Sequence, residues 1–460
     1  MEDKALATRV ILVRHGETSF NAEGRVQGHI DISTLTEKGA AEARLVGQAL
    51  QGIPIQAFYH SPLQRARQTA ENIADVLGQE LAQKDPAIAQ PTVSPNLIEI
   101  SLPLWEGLLF DEVKVQYPDA YRDWHQAPHL LKMDDPKTGQ PFFPVQALFA
   151  QARRLWDEVL PAHPNQTVLL VGHSGINRSL ICTALNLPPD RYQTIQQANC
   201  NISILNFPDN TLGSAQLESL NITSHLGLPL PQVRKSHDAV RLLLVRHGET
   251  DWNRQGRFQG QIDIPLNENG HQQAKQAADF LQSVPLDFAI TSAMKRPKET
   301  AQAILQHHPQ VELAEEPDFR EISHGTWEGK LEAEIEQEFP GDLERWRVTP
   351  ELVQMPEGEN LQQVWDRAIA AWDEMVQSAR VQAKDSGRTS VGLVVAHDAT
   401  NKVILSHVVG AGAEKFWSFK QGNGAVSVID YPAEGPPILQ AMNITTHLGG
   451  VLDRTAAGAL

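Results

Sequence analysis

Ile11-Leu-Val-Arg-His-Gly-Glu-Thr18 recurs, with one conservative change, as Leu243-Leu-Val-Arg-His-Gly-Glu-Thr250. In each copy an apolar run stops at an arginine, a histidine and a glycine. A short, uninterrupted apolar run reads as a strand buried on both faces of a parallel sheet. The polar triplet then falls at the carboxyl end of that strand, where open α/β sheets gather their ligands. Arg-His-Gly alone is weak, since at equal residue frequencies it occurs about once per 8,000 positions. Two copies inside matching stretches of more than 20 residues are not chance.

Outward from the triplets, four further landmarks repeat in the same order. Ser61-Pro-Leu-Gln-Arg65 answers Ser292-Ala-Met-Lys-Arg296, and Glu99-Ile-Ser-Leu-Pro-Leu-Trp-Glu-Gly107 answers Glu321-Ile-Ser-His-Gly-Thr-Trp-Glu-Gly329. His173 and His397 each follow an apolar run, and Asn221-Ile-Thr-Ser-His-Leu226 answers Asn443-Ile-Thr-Thr-His-Leu448. A period above 220 residues means two whole domains, because solenoid units run about 20–50 residues. The expected domains are 1–230 and 239–455, joined by an exposed proline-containing linker between Gly227 and Asp238. Strand-like runs at Val10–Val13 and Val168–Val171 alternate with amphipathic stretches at Thr36–Leu50 and Leu63–Leu77. The expected fold class is therefore α/β, each half a mostly parallel sheet with helices on both faces. Thr36 and Asn267 read as helix N-caps.

Composition narrows the chemistry. The 460 residues carry 39 Lys plus Arg against 56 Asp plus Glu, a net charge of −17, which argues against nucleic acid as a partner. No stretch approaches the roughly 20 apolar residues that span a bilayer, and Met1-Glu-Asp-Lys-Ala5 lacks the apolar core of a secretory signal, so a cytoplasmic protein with no membrane partner is expected. Cys182 and Cys200 are too few for a disulfide framework. No His, Asp or Glu cluster has ligand spacing, so neither metal nor other cofactor is expected.

Arg14 with Arg65, and Arg246 with Arg296, could grip one anion between them, because a guanidinium holds phosphate oxygens in a fixed fork. Neighbouring cations depress an imidazole pKa and keep the ring neutral, hence nucleophilic, at pH 7. The departing alkoxide needs a proton, which calls for an acid.

On these residues both halves resemble the histidine phosphatase superfamily, with its phosphoglycerate mutase-like fold. The resemblance implies that His15 and His247 accept the phosphoryl group and that Arg14, Arg65, Arg246 and Arg296 clamp it. It assigns His173 and His397 as the second histidine, Asn21 and Asn253 as helpers of the clamp, and Glu99 and Glu321 as proton donors. The text of the first half, including Gln197-Ala-Asn-Cys-Asn-Ile-Ser203, resembles two-domain members of that superfamily that act on a sugar-acid phosphate. A phosphomonoesterase of small phosphorylated metabolites is implied: sugar or sugar-acid phosphates, including Rubisco inhibitors such as 2-carboxy-D-arabinitol 1-phosphate. Two alternatives stay open, a phosphoglycerate mutase, and one active half beside a half that binds a phosphate-bearing ligand without turnover.

The remaining histidines read otherwise. His29 and His60 are Gln261 and Thr291 in the second copy, so they cannot serve a shared reaction and are expected in surface or loop positions. His225 and His447 recur but read as packing groups, and Trp105 and Trp327 as wall residues whose apolar surroundings raise the pKa of the nearby acid. Glu106 and Glu328 compete with Glu99 and Glu321 for the acid's role.

Overall fold

The computed structural model describes residues 7–84, 90–135, 138–232 and 239–455. The chain divides into two compact units, Met1–Pro231 and Gln232–Leu460. Positions 233–238 of the expected linker lie outside the described residues.

In the first unit the chain runs β1 (Thr8–Arg14), α1 (Ser19–Glu23), α2 (Glu37–Ala49), β2 (Ala57–His60), α3 (Gln64–Lys84), β3 (Thr92–Val93), α4 (Pro144–Ala162), β4 (Thr167–Gly172), α5 (Ser174–Ala184), β5 (Ile202–Phe207) and β6 (Gln216–Ile222). The strands lie side by side in the order β3-β2-β4-β1-β5-β6. The first four are parallel; β5 and β6 run antiparallel to their neighbours. The path from β1 to β2 crosses the sheet in one direction and the path from β3 to β4 in the other. With right-handed crossovers, α2 and α3 therefore cover one face and α4 the opposite one.

The register places Val10 beside Val168 and Arg14 beside Gly172. Val10 through Val13 and Val168 through Val171 have no exposed surface, so each side chain contributes about 1.5–3 kcal/mol of burial relative to exposure. These two central strands end together, which puts His15 and His173 next to each other at the carboxyl edge.

The second unit repeats the plan. Its elements include β7 (Val240–Arg246), α6 (Asp251–Gln255), α7 (Glu268–Leu281), β8 (Phe288–Ser292), α8 (Lys295–Leu305), β9 (Leu313–Glu316), α9 (Leu361–Ser386), β10 (Ser390–Ala396), α10 (Asp398–Val408), β11 (Val426–Tyr431) and β12 (Ile438–Ile444). Strand order β9-β8-β10-β7-β11-β12 matches the first unit position for position. Thr36 and Asn267 cap α2 and α7 as expected, accepting from Gly39 N at 3.0 Å and Gly270 N at 2.8 Å.

Gly16 and Gly39 show the need that the triplet creates. A Cβ on Gly16 would lie 2.4 Å from the Gly39 carbonyl oxygen, and one on Gly39 would lie 2.1 Å from the Glu17 carbonyl oxygen. The backbone just after the histidine and the first turn of α2 thus approach closer than any other residue pair permits. One expectation fails here: His60 is not on the surface but 7 % exposed at the end of β2, because β2 is an inner strand between β3 and β4.

Candidate active site

Each unit brings its six expected residues into one pocket. His15 follows β1, and its ring Nδ1 lies 2.8 Å from the Gly16 carbonyl. A carbonyl only accepts, so Nδ1 carries the proton and the lone pair sits on Nε2. His247 repeats this, 2.7 Å from the Gly248 carbonyl, and Arg296 Nε donates to its Nε2 at 3.1 Å. The guanidinium has no acceptor atom, so that contact fixes the same tautomer independently. Burial pushes His15 well below the ordinary imidazole range, and Arg14 and Arg65 push the same way. For His247 the causes are again burial, then Arg296 and Arg246.

The second imidazole faces the first: ring centroids are 5.1 Å apart for His15 and His173, and 5.2 Å for His247 and His397. His173 Nε2 lies 2.7 Å from Ser61 Oγ and His397 Nε2 lies 2.9 Å from Ser292 Oγ. Their Nδ1 atoms, together with Nε of Arg14, Arg65 and Arg246, are buried and make no hydrogen bond among the described residues. Buried polar atoms of this kind cost free energy unless a ligand meets them.

The arginines are aimed by backbone carbonyls. Arg65 donates to Gly28 and Ile30 carbonyls at 2.8 and 3.0 Å, and Arg296 to Gly260 at 2.8 Å. Arg14 donates to the Gln197 carbonyl at 2.9 Å and Arg246 to that of Gln421 at 2.5 Å. Burial lowers Arg14 and Arg296 to about 10, which leaves both charged at neutral pH.

Asn21 Oδ1 closes a capping box, accepting from Thr18 N at 3.2 Å, and also accepts from Asn199 Nδ2 at 3.2 Å. Asn199 Nδ2 in turn donates to the His15 carbonyl at 2.9 Å, so the loop before β5 ties Asn21 to the histidine. Asn253 and Asn423 repeat the link with 3.3 Å contacts.

Glu99 and Glu321 sit against the helices that begin right after the second histidine. Gly175 N and Ile176 N each donate to Glu99 at 3.1 Å, and Ala399 N donates to Glu321 at 3.1 Å. A helix N-terminus favours the charged carboxylate. For Glu321, at 2 % exposure, burial and the nearby Asp398 outweigh it and raise the pKa. Glu106 and Glu328 take a different part: their carboxylates accept backbone N–H groups of His29 at 2.8 Å and of Gln261 at 2.9 Å, bracing the loop at the pocket rim. Trp105 and Trp327 are buried against Trp124 and Phe258. Exposed His29 reaches the Glu99 carbonyl at 2.7 Å, as Gln261 reaches that of Glu321 at 3.0 Å. His225 and His447 bond backbone carbonyls of Cys200 and Gly424 behind the pocket.

Several contributors went unread in the sequence. Ser61 and Ser292 orient the second histidine, and Thr69 and Thr300 accept from the Gly16 and Gly248 amides at 3.0 and 3.1 Å. The signal was present, since both pairs recur at fixed offsets from Arg65 and Arg296. In the second unit Glu359 accepts from Ser323 N and Arg367 Nε, both at 2.9 Å, and so clamps the Glu321 loop.

A model of the histidine phosphatase superfamily (branch 1) matches residues 10–223 and again 242–445. The chain belongs to that superfamily. It is a phosphatase, a hydrolase of phosphoric monoesters, in a family that acts on small phosphorylated substrates. It is 30% identical to 2-carboxy-D-arabinitol-1-phosphatase of Triticum aestivum, across 97% of this chain and 87% of that one. One half is 36% identical to phosphoserine phosphatase 1 of Hydrogenobacter thermophilus, over 48% of this chain and 94% of that one. A solved phosphoserine phosphatase of Entamoeba histolytica, in complex with 3-phosphoglyceric acid, is 28% identical with a TM-score of 0.39, covering 48% of this chain and 99% of that one. Among the described residues no helix is long and apolar enough to cross a membrane, and no group of three or more His, Cys, Asp or Glu is placed to hold a metal ion.

Proposed function

We propose that each half hydrolyses small sugar or sugar-acid phosphates through a phosphohistidine. His15 or His247 attacks phosphorus with its Nε2 lone pair, and the bond to the ester oxygen breaks. Arg14, Arg65 and His173, or Arg246, Arg296 and His397, hold the phosphoryl oxygens, with Asn21 or Asn253 beside them. Glu99 or Glu321 protonates the departing oxygen, then takes a proton from the water that releases phosphate. The observation that carries this reading is the fixed tautomer: a neutral imidazole with its lone pair aimed into a pocket of buried guanidinium and imidazole N–H groups.

Hydrolysis rather than mutase transfer is favoured by the short segment after the acid. Only Ile100–Leu104 separates Glu99 from Trp105, and Ile322–Thr326 separates Glu321 from Trp327, too little to seal a bisphosphate intermediate from water. The likeness to a carboxyarabinitol-phosphate phosphatase supports a sugar-acid phosphate as substrate of the chain.

Rapid quenching with labelled substrate should trap acid-labile, base-stable phosphate on His15 and His247, and each His→Ala variant should lose its own share. Wild-type turnover in the double variant would overturn the scheme. A panel containing 2-carboxy-D-arabinitol 1-phosphate ranks the substrates. Faster interconversion of 2- and 3-phosphoglycerate than phosphate release, with a bisphosphate primer present, would establish the mutase instead.

A further inference from the structure

The loop before β11 holds one flank of the second pocket. The Gln421 carbonyl accepts from Arg246 Nη1 at 2.5 Å, and Asn423 Nδ2 donates to the His247 carbonyl and to Asn253 Oδ1, both at 3.3 Å. Gly424 N donates to the carbonyls of Arg246 and His247, both at 3.1 Å. Three of the pocket's six residues therefore depend on where residues 421–424 lie.

The loop is in turn tied to the segment that follows β12. The Asp453 side chain is 1 % exposed, and a buried carboxylate requires donors. Its Oδ1 accepts from Thr455 N at 2.9 Å and from Thr455 Oγ1 at 2.8 Å. Its Oδ2 accepts from Asn443 Nδ2 at 3.3 Å and lies 3.5 Å from Lys420 Nζ. Asn423 N donates to Thr455 Oγ1 at 3.1 Å, and Gly422 N donates to Asn443 Oδ1 at 2.7 Å. Lys420 and Asn423 are thus bound to Asp453 and Thr455 directly, and Gly422 through Asn443.

Glycine at 422 makes room for this strut, since a Cβ there would lie 2.8 Å from both Asp453 Oδ2 and Thr455 Oγ1. The first unit has neither half of the arrangement. Ala198 stands at the place of Gly422, and position 231, ten residues after Asn221 as Asp453 is ten after Asn443, is proline. Ala198 N still donates to Asn221 Oδ1 at 2.7 Å, so the first unit keeps the bond through asparagine and lacks the carboxylate behind it.

We infer that Asp453 and Thr455 are positioning residues of the second pocket, which hold Gln421–Asn423 in place and through them fix the grip of Arg246 on a phosphoryl group. Thr455 is the joint, because one hydroxyl can accept the Asn423 N–H and give its own proton to Asp453. The inference rests on the reading of that pocket as a phosphate site, but it is measured through affinity rather than turnover.

Calorimetric titration of the full chain with inorganic phosphate tests it. Two sites are expected, of which the one removed by Arg246→Gln belongs to the second pocket. Thr455→Val keeps the shape and loses the hydroxyl, so it should weaken that site by about 3- to 10-fold, the worth of one hydrogen bond, and leave the other site unchanged. Thr455→Ser should bind as the parent does. Gly422→Ala, which gives the loop the first unit's own residue, should weaken the same site as Thr455→Val. Unchanged affinity in both Thr455→Val and Gly422→Ala would overturn the inference, as would equal weakening by Thr455→Ser and Thr455→Val, or a parent chain whose second pocket takes no phosphate. A segment that only supported the fold would lower the melting temperature and leave the phosphate affinity of the folded chain alone, which also counts against it. If Thr455→Val fails to fold, Gly422→Ala, which removes no donor or acceptor, decides. Two phosphate sites without a trapped phosphohistidine would sink the catalytic scheme and leave this inference standing; a trapped phosphohistidine with affinity unmoved by either variant would do the reverse.

Discussion

Glu321, the proton donor of the proposed scheme, shows how burial and neighbouring charge set a single carboxyl. The N-terminus of α10 favours its charged form, yet burial and the facing Asp398 win and raise its pKa. An acid with a raised pKa keeps its proton to higher pH, so activity of the second pocket should fall as pH rises through that value. Glu321→Gln should cost about 10²–10⁴-fold in turnover of alkyl phosphates and far less with p-nitrophenyl phosphate, whose leaving group needs no proton. Stability should move the other way. A carboxyl whose folded pKa exceeds its unfolded one costs stability above the ordinary carboxylate range, fully so above the folded pKa. The melting temperature of Glu321→Gln minus that of wild type should therefore grow as pH rises from below the ordinary carboxylate range to above it; a difference that stays constant from about pH 4 upward would contradict the raised pKa. At this scale the groups proposed to react were legible because chemistry restricts them to a few residue types, twice repeated. Ser61 was not, although it lay inside a quoted motif, because a hydroxyl that orients an imidazole looks in sequence like any serine at the end of a strand.

Among the elements, α2 and α3 make a paired test of what glycine does. Gly39 stands in the first turn of α2, where a Cβ would lie 2.1 Å from the Glu17 carbonyl oxygen; Gly78 stands in α3 with nothing within 4 Å of its would-be Cβ. Alanine is the better helix former by about 1 kcal/mol at either site. At Gly78 that preference is unopposed, and Gly78→Ala should stabilise by about 0.4–1 kcal/mol. At Gly39 the overlap must be relieved by moving backbone next to His15, the proposed nucleophile, so Gly39→Ala should destabilise by about 1–3 kcal/mol and lower turnover in the first pocket. Urea titration of the two variants gives the signs, and a stabilised Gly39→Ala would refute the close approach. The helix ends followed their signals unevenly. Thr36 and the apolar spacing located α2 to within a residue at each end, because the cap is a local hydrogen bond. The helix expected over Leu63–Leu77 continues to Lys84 as α3, since Gln79, Glu80 and Gln83 are good helix formers whose polarity breaks the apolar pattern without breaking the backbone.

Across the whole molecule the pockets impose a common liability to acid. His15, His173, His247 and His397 are buried and held well below the ordinary imidazole range, first by burial and then by the arginines or by one another. His324 joins them in the second unit, lowered to about 3 by burial, with neither ring nitrogen bonded among the described residues and its ring edge-on to Phe258 and Trp346. The unfolded chain takes up protons at these histidines below about pH 6.5, while the folded chain does not. Each such group therefore removes about 1.4 kcal/mol of stability per pH unit below that point until its folded pKa is reached. Above it the groups are neutral in both states and add no slope. The duplication that the sequence displays so openly doubles this cost, because each unit buries its own pair. His324 allows the effect to be measured away from the reacting atoms, since it stands in an aromatic cluster where phenylalanine preserves the ring. His324→Phe should match wild type near pH 8 and gain stability over it steadily from pH 6 down to pH 4. The slope of unfolding free energy against pH in that window should drop by one proton's worth, about 1.4 kcal/mol per unit. Parallel slopes for the two proteins would show that His324 takes up its proton in the folded state as readily as in the unfolded one.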